Sequence, residues 1–104
     1  MTLEAENELV ARWMGWEWIG GNIQLWHHDV PHDGLYRDSP PPYRSDLAMN
    51  RELEVRLCER YMWRFTYCYD GCWRSKSADN EGVYETLAEA VFAAAVIEAQ
   101  REGK

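Results

Sequence analysis

Hydrophobic positions change period several times along this chain, and each change marks an element. From Leu3 to Met14 they recur every three or four residues. Ala5, Leu9 and Trp13 form one stripe, with Val10 and Met14 beside it, as an amphipathic helix requires. Thr2 suits the N-cap, Glu4, Glu6 and Glu8 sit early in the helix, and Gly15 stops it. From Trp16 to Trp26 the period drops to two around Gly20-Gly21-Asn22, which predicts a hairpin. A two-residue loop there puts Trp16, Trp18, Ile23 and Leu25 on one face, and Glu17, Ile19, Gln24 and Trp26 on the other.

Residues 27–45 show no period and read as one long His- and Pro-rich loop within the domain. Pro40-Pro41-Pro42 favours an extended path that delivers the chain stiffly to the next helix. That helix runs from Asp46 to about Arg60, capped by Ser45 or Asp46. Its stripe is Met49, Leu53 and Leu57, flanked by Leu47, Cys58 and Tyr61, and its outer face is mixed charge. Trp63, Phe65 and Tyr67 then alternate with Arg64, Thr66 and Cys68, and Asp70-Gly71 is a turn. A three-residue loop, Tyr69 to Gly71, makes Cys68 face Cys72 and Tyr67 face Trp73. Arg64, Thr66, Cys68, Cys72, Arg74 and Lys76 then share a basic face. Residues 78–82 read as a polar turn. Thr86 and Glu89 form a capping box opening a last, Ala-rich helix that is apolar nearly all round.

These elements predict an α/β fold in one domain, residues 1–104, in the order αββαββα. It is a layered sandwich of three helices and a mainly antiparallel four-stranded sheet. Arg12-Trp13-Met14 before the first hairpin echoes Arg60-Tyr61-Met62 before the second, which hints at two αββ units. Trp16, Trp18, Leu9, Trp63, Phe65, Val91 and Phe92 are the expected core.

Charge narrows the function classes. A net charge of −7 disfavours general nucleic-acid binding, which needs clustered cations, and suits a basic protein surface. No apolar run is long enough to span a bilayer, and the acidic N-terminus is unlike an export signal. The odd cysteine count adds to the expectation of a reducing cytoplasm and of free thiols, in a monomer or homodimer.

Candidate chemistry falls into three groups. His27, His28, Asp29, His32 and Asp33 have metal-ligand chemistry, but they lie in a loop with no helix to fix their spacing. No metal, no cofactor and no catalytic residue is expected from them. A metal-dependent hydrolase using residues 27–32 is the weakest reading. Tyr36, Arg37, Tyr43 and Arg44 lie outside the predicted elements and are the residue types favoured as anchors for a protein partner. Arg64, Arg74 and Lys76 would suit phosphate, and with nearby aromatic rings a nucleotide signal molecule.

Three short segments resemble the phage ABA-sandwich domain family, small phage and prophage proteins with helices layered on both sides of a sheet. They are Leu9-Val10-Ala11-x-x-Met14-Gly15-Trp16, Pro42-Tyr43-x-Ser45-Asp46-Leu47, and Glu85-Thr86-Leu87-Ala88-Glu89-Ala90. The family brings no catalytic motif. The resemblance implies a phage accessory protein in the cytoplasm of the bacterial host. Proteins of that setting often bind and disable a host component, including defence systems, as anti-CRISPR proteins do.

Overall fold

The structure, a computed structural model, describes residues 2–20, 25–28 and 35–103; the side chains of Leu35 and Tyr36 fall outside that description. The described chain runs α1 (Leu3–Trp13), β1 (Trp16–Ile19), β2 (Leu25–His28), β3 (Leu35–Arg37), α2 (Leu47–Arg60), β4 (Arg64–Tyr67), β5 (Trp73–Lys76), β6 (Glu81–Tyr84) and α3 (Leu87–Glu102). The caps follow the sequence signals. Thr2, Asp46 and Thr86 each accept a backbone N–H from the first turn of their helix, which satisfies one of the donors a helix start leaves over.

The α/β class, the three helices and the antiparallel pairing stand, but the expected order αββαββα and the single four-stranded sheet do not. Two three-stranded sheets form instead, β1-β2-β3 and β4-β5-β6. Two short strands account for the difference. β3 is three residues long and lies inside the stretch read as irregular, too short for a period of two to show. That stretch also loses His27 and His28 to β2. β6 is hidden by Gly82, which carries no side chain to mark a face. A Cβ there would stand 2.7 Å from the Tyr84 hydroxyl oxygen, so the glycine makes room for the Tyr84 ring.

The second sheet matches its predicted register. Arg64 pairs with Lys76, Thr66 with Arg74 and Tyr67 with Trp73. The Cys68 amide donates to the Cys72 carbonyl at 2.7 Å, and Gly71 takes φ +85° in the loop, a conformation glycine adopts without steric cost. The first sheet does not match. Ile19 pairs with Leu25, so the connection covers residues 20–24 rather than two residues. The change of parity puts Trp26, not Leu25, on the face of Trp16 and Trp18. Ile23 and Gln24 lie outside the described residues. Trp26 is buried and Trp16 with it, but Trp18 is 42% exposed and meets Trp26 ring to ring at 5.6 Å. α1 packs on β1, and its cover reaches Trp16 rather than Trp18.

α3 is the centre of the molecule. It packs against α1, α2 and all three strands of the second sheet. Its apolar circumference is therefore used within the chain: Ala90, Val91, Phe92, Ala94, Ala95, Val96 and Ala99 are buried. Ser75, buried on β5, pairs with Gly82 on β6, so small residues line the sheet as well as the helix. Trp63, 2% exposed, donates its indole N–H to the buried carboxylate of Glu98 at 3.1 Å. Arg101 bonds that carboxylate at 3.3 Å and reaches Asp79 at 3.3 Å. Of the expected core, Trp16, Trp63, Val91 and Phe92 are buried, whereas Leu9 and Phe65 are half-buried. Phe65 stacks on Trp63 at 6.4 Å.

Close approach at α3 has a direct test. Ala95→Leu adds volume at a fully buried position and should destabilise the protein by about 1–3 kcal/mol, read as a lower urea midpoint.

Candidate functional site

The proline segment is held more firmly than its composition suggests. Asn7 on α1 bonds it twice, donating its amide to the Pro41 carbonyl at 2.7 Å and accepting the Tyr43 amide at 3.0 Å. Asn50 on α2 donates to the Tyr43 carbonyl at 3.0 Å and to the Ala88 carbonyl at 3.1 Å. The amides of Ser45 and Asp46 turn back to the Pro42 carbonyl. Tyr43 itself is 1% exposed, and its hydroxyl accepts the Trp16 indole N–H at 2.9 Å. Burial pushes the Tyr43 phenol up to about 12, against the opposing pull of the Trp16 hydrogen bond.

A groove of about 510 Å³ opens between this segment and α1. Leu3, Pro40, Pro42 and Phe92 supply its apolar surface, Glu4 and Glu8 stand on the α1 side, and Arg44 on the other. A concave apolar surface with a few charged groups is the usual form of a recognition site. The groove is pre-formed, because its proline wall is tied to α1 and α2 through side-chain amides.

The four anticipated partner residues separate. Arg44 is exposed and lines the groove. Tyr43 is a core residue beneath it and meets no partner unless the segment leaves its place, so it does not belong to the surface set. Arg37 is half-buried on β3, paired with Trp26 in β2, and outside the groove walls. The Tyr36 side chain lies outside the described residues. Leu3, Glu4, Glu8 and Phe92 were not singled out for recognition, because in sequence they look like ordinary positions of two helices.

Arg64, Arg74 and Lys76 do share one exposed face of the second sheet, together with Thr66, Glu81 and Val83. α3 covers only the opposite face, where Phe65, Tyr67, Trp73 and Tyr84 stand. The cations are therefore free of an overlying helix, but the strand aromatics that would stack a base point the other way. Glu81 reduces the positive charge further, 3.7 Å from Arg74.

The histidine group is only partly described. Asp29, His32 and Asp33 lie outside the described residues. His28 Nε2 meets the Met14 carbonyl at 2.8 Å, and its ring packs on Trp16 at 5.2 Å. A Cβ on Gly15 would stand 3.0 Å from that nitrogen, so Gly15 makes the notch for the ring. Among the described residues no three His, Cys, Asp or Glu converge as a metal would need. Burial pushes the thiols of Cys58 and Cys72 up, helped by nearby Glu54 and Asp70 respectively, the opposite of what activates a nucleophile.

One polar cluster escaped sequence reading. The Trp13 indole and the Tyr61 hydroxyl both donate to Glu102 at the end of α3. The two rings meet at 5.4 Å, and the Arg56 guanidinium lies 4.7 Å from the centre of Trp13. The last turns of all three helices are joined there. The Tyr61 hydrogen bond, then that of Trp13, holds the Glu102 carboxyl below its ordinary range.

The chain matches no protein-family model, and no curated protein or solved structure is significantly similar to it.

Two measurements check these assignments. Tyr43→Phe strands the buried Trp16 indole N–H and should cost about 1–3 kcal/mol in urea unfolding. The Glu102 contribution has a defined sign. Its folded pKa lies below the unfolded one, so its stabilisation is full above the unfolded value and is lost as pH falls through the folded value. Glu102→Gln should therefore be less stable than wild type at neutral pH, and the gap should close in acid. An equal gap at both ends of the titration would show that the carboxylate charge has no part in joining the helices.

Proposed function

We propose that this is a non-enzymatic phage accessory protein that binds a host protein, as an inhibitor of a bacterial defence system. The phage resemblance supplies the setting. The observation that carries the binding reading is the pre-formed groove beside the proline segment, tied by Asn7 and Asn50. Rigid walls reduce the ordering cost of association. Apolar surface from Leu3, Pro40, Pro42 and Phe92 next to Glu4 and Glu8 fits an exposed host segment with an apolar side chain beside Lys or Arg. The overall charge of −7 favours encounter with a basic partner. The protein acts in the host cytoplasm in this reading, consistent with the finding that no described helix is long and apolar enough to cross a membrane.

A nucleotide-signal binder is the second reading, favoured by the exposure of Arg64, Arg74 and Lys76 on one face. It lacks an aromatic platform on that face and has Glu81 among the cations. The hydrolase reading draws no support from His28, whose Nε2 is engaged by Met14.

Affinity capture from bacterial lysate, with tagged wild type beside a Glu4→Lys/Glu8→Lys variant, separates the readings. Wild type should retain a host protein, and the variant should bind it roughly tenfold more weakly while staying folded by circular dichroism, with a slightly lower melting temperature because Glu8 pairs with Arg12 and Glu4 sits in the first turn of α1. Equal capture by both would remove the groove from consideration. Co-purification of a small phosphorylated ligand that is lost on replacing Arg64, Arg74 and Lys76 would install the second reading instead.

A further inference from the structure

A few apolar side chains stand exposed among the mixed charges on the outer side of α2. Leu47 is 76% exposed, Val55 48% and Met62, just past the helix end, 74%. Ala48 and Cys58 are exposed with them. Leu47, Arg51, Val55 and Cys58 follow one another at three- and four-residue intervals, the spacing of a single helical stripe, while Met62 lies beyond the helix at φ +60°. Val55 lies on the side away from Asn50, Leu53 and Leu57, the buried face that meets α3. Arg51 and Glu59 flank Val55 one turn before and one turn after it. Both are exposed, and neither enters an ion pair among the described residues.

We propose that this face pairs with the same face of a second copy of the chain, the two α2 helices running antiparallel about a twofold axis at Val55. Such an axis sets each residue against the one equally far on the other side of Val55. Arg51 then meets Glu59 of the second copy, and Glu59 meets its Arg51. Val55 meets its own twin. The symmetric placing of one base and one acid around an exposed Val is what selects a second copy as the occupant. Parallel pairing would set Arg51 against Arg51 and Glu59 against Glu59, and is repelled. A helix of 14 residues is about 21 Å long, so the contact is small. The dimer dissociates in the micromolar range or above, on the order of the weakest specific interfaces. This pairing rests on α2 alone and is independent of the groove reading.

Sedimentation velocity from low micromolar to near-millimolar concentration tests it, with circular dichroism to confirm that each variant is folded. Wild type should shift from monomer towards dimer across the range. Arg51→Glu and Glu59→Arg alone should each weaken association roughly tenfold, and the Arg51→Glu/Glu59→Arg double variant should restore it. In a chain whose three cysteines are replaced by serine, Val55→Cys should form a disulfide-linked dimer under mild oxidation. A wild-type mass that stays monomeric at the highest concentration overturns the proposal. So does a charge-swapped double variant that fails to recover.

Discussion

The Trp16 indole donates to the Tyr43 hydroxyl at a point where neither group has solvent to turn to. An unpaired donor or acceptor there would cost more than the bond itself contributes, so the two residues must arrive together. Tyr43 can reach Trp16 only if the proline segment crosses α1, and Asn7 is on α1 to receive it. Asn50 completes the arrangement by tying the same backbone to α2 and to the first turn of α3. One buried tyrosine thus determines how the irregular segment runs, and the groove is the space left beside that path.

The architecture repeats itself around α3. Each half is a helix followed by three antiparallel strands. Two residues past the end of each helix stands a residue with positive φ, Gly15 at +103° and Met62 at +60°. Each then delivers a buried tryptophan whose indole N–H is bonded, Trp16 to Tyr43 and Trp63 to Glu98. Trp13 and Tyr61, one turn back, converge on Glu102. The echo of Arg12-Trp13-Met14 in Arg60-Tyr61-Met62 therefore has a physical content: both triplets end a helix and aim an aromatic ring at α3. The halves differ in cover. The second sheet lies under α3, while the first is reached through α1 and β1, which explains why Trp18 stays partly in solvent.

Local signals were readable where one residue type decides the geometry. Asp70-Gly71 and strict alternation determined the second hairpin, and capping residues located three helix starts. The first hairpin was ambiguous because Gly20-Gly21-Asn22 permits several loop lengths, and apolar residues of both parities flank it. Leu25 and Trp26 compete for the inner face, and only the cover of α1 decides between them. β6 was hidden because Gly82 erases the alternation. The groove was half legible: its proline wall stood out, but Glu4, Glu8 and Phe92 join it only through packing between distant elements. Tyr43 looked like a surface anchor because nothing nearby in sequence reveals the Trp16 donor. The Glu102 cluster joins residues from three separate helices, a separation no local pattern can report.

The central position of α3 also orders events in time. α1 and α2, with the strands that follow them, are synthesised first, yet both lean on a helix made after them. Until residues 87–102 emerge from the ribosome, α1, α2 and the inner face of the second sheet lack the cover that α3 gives them. A nascent chain in that interval presents two incomplete halves with exposed apolar faces, open to chaperones and to mispairing with neighbouring chains. Once α3 docks, α1, α2 and the second sheet are covered in a single step, so folding is expected to wait for that helix and then to proceed all at once.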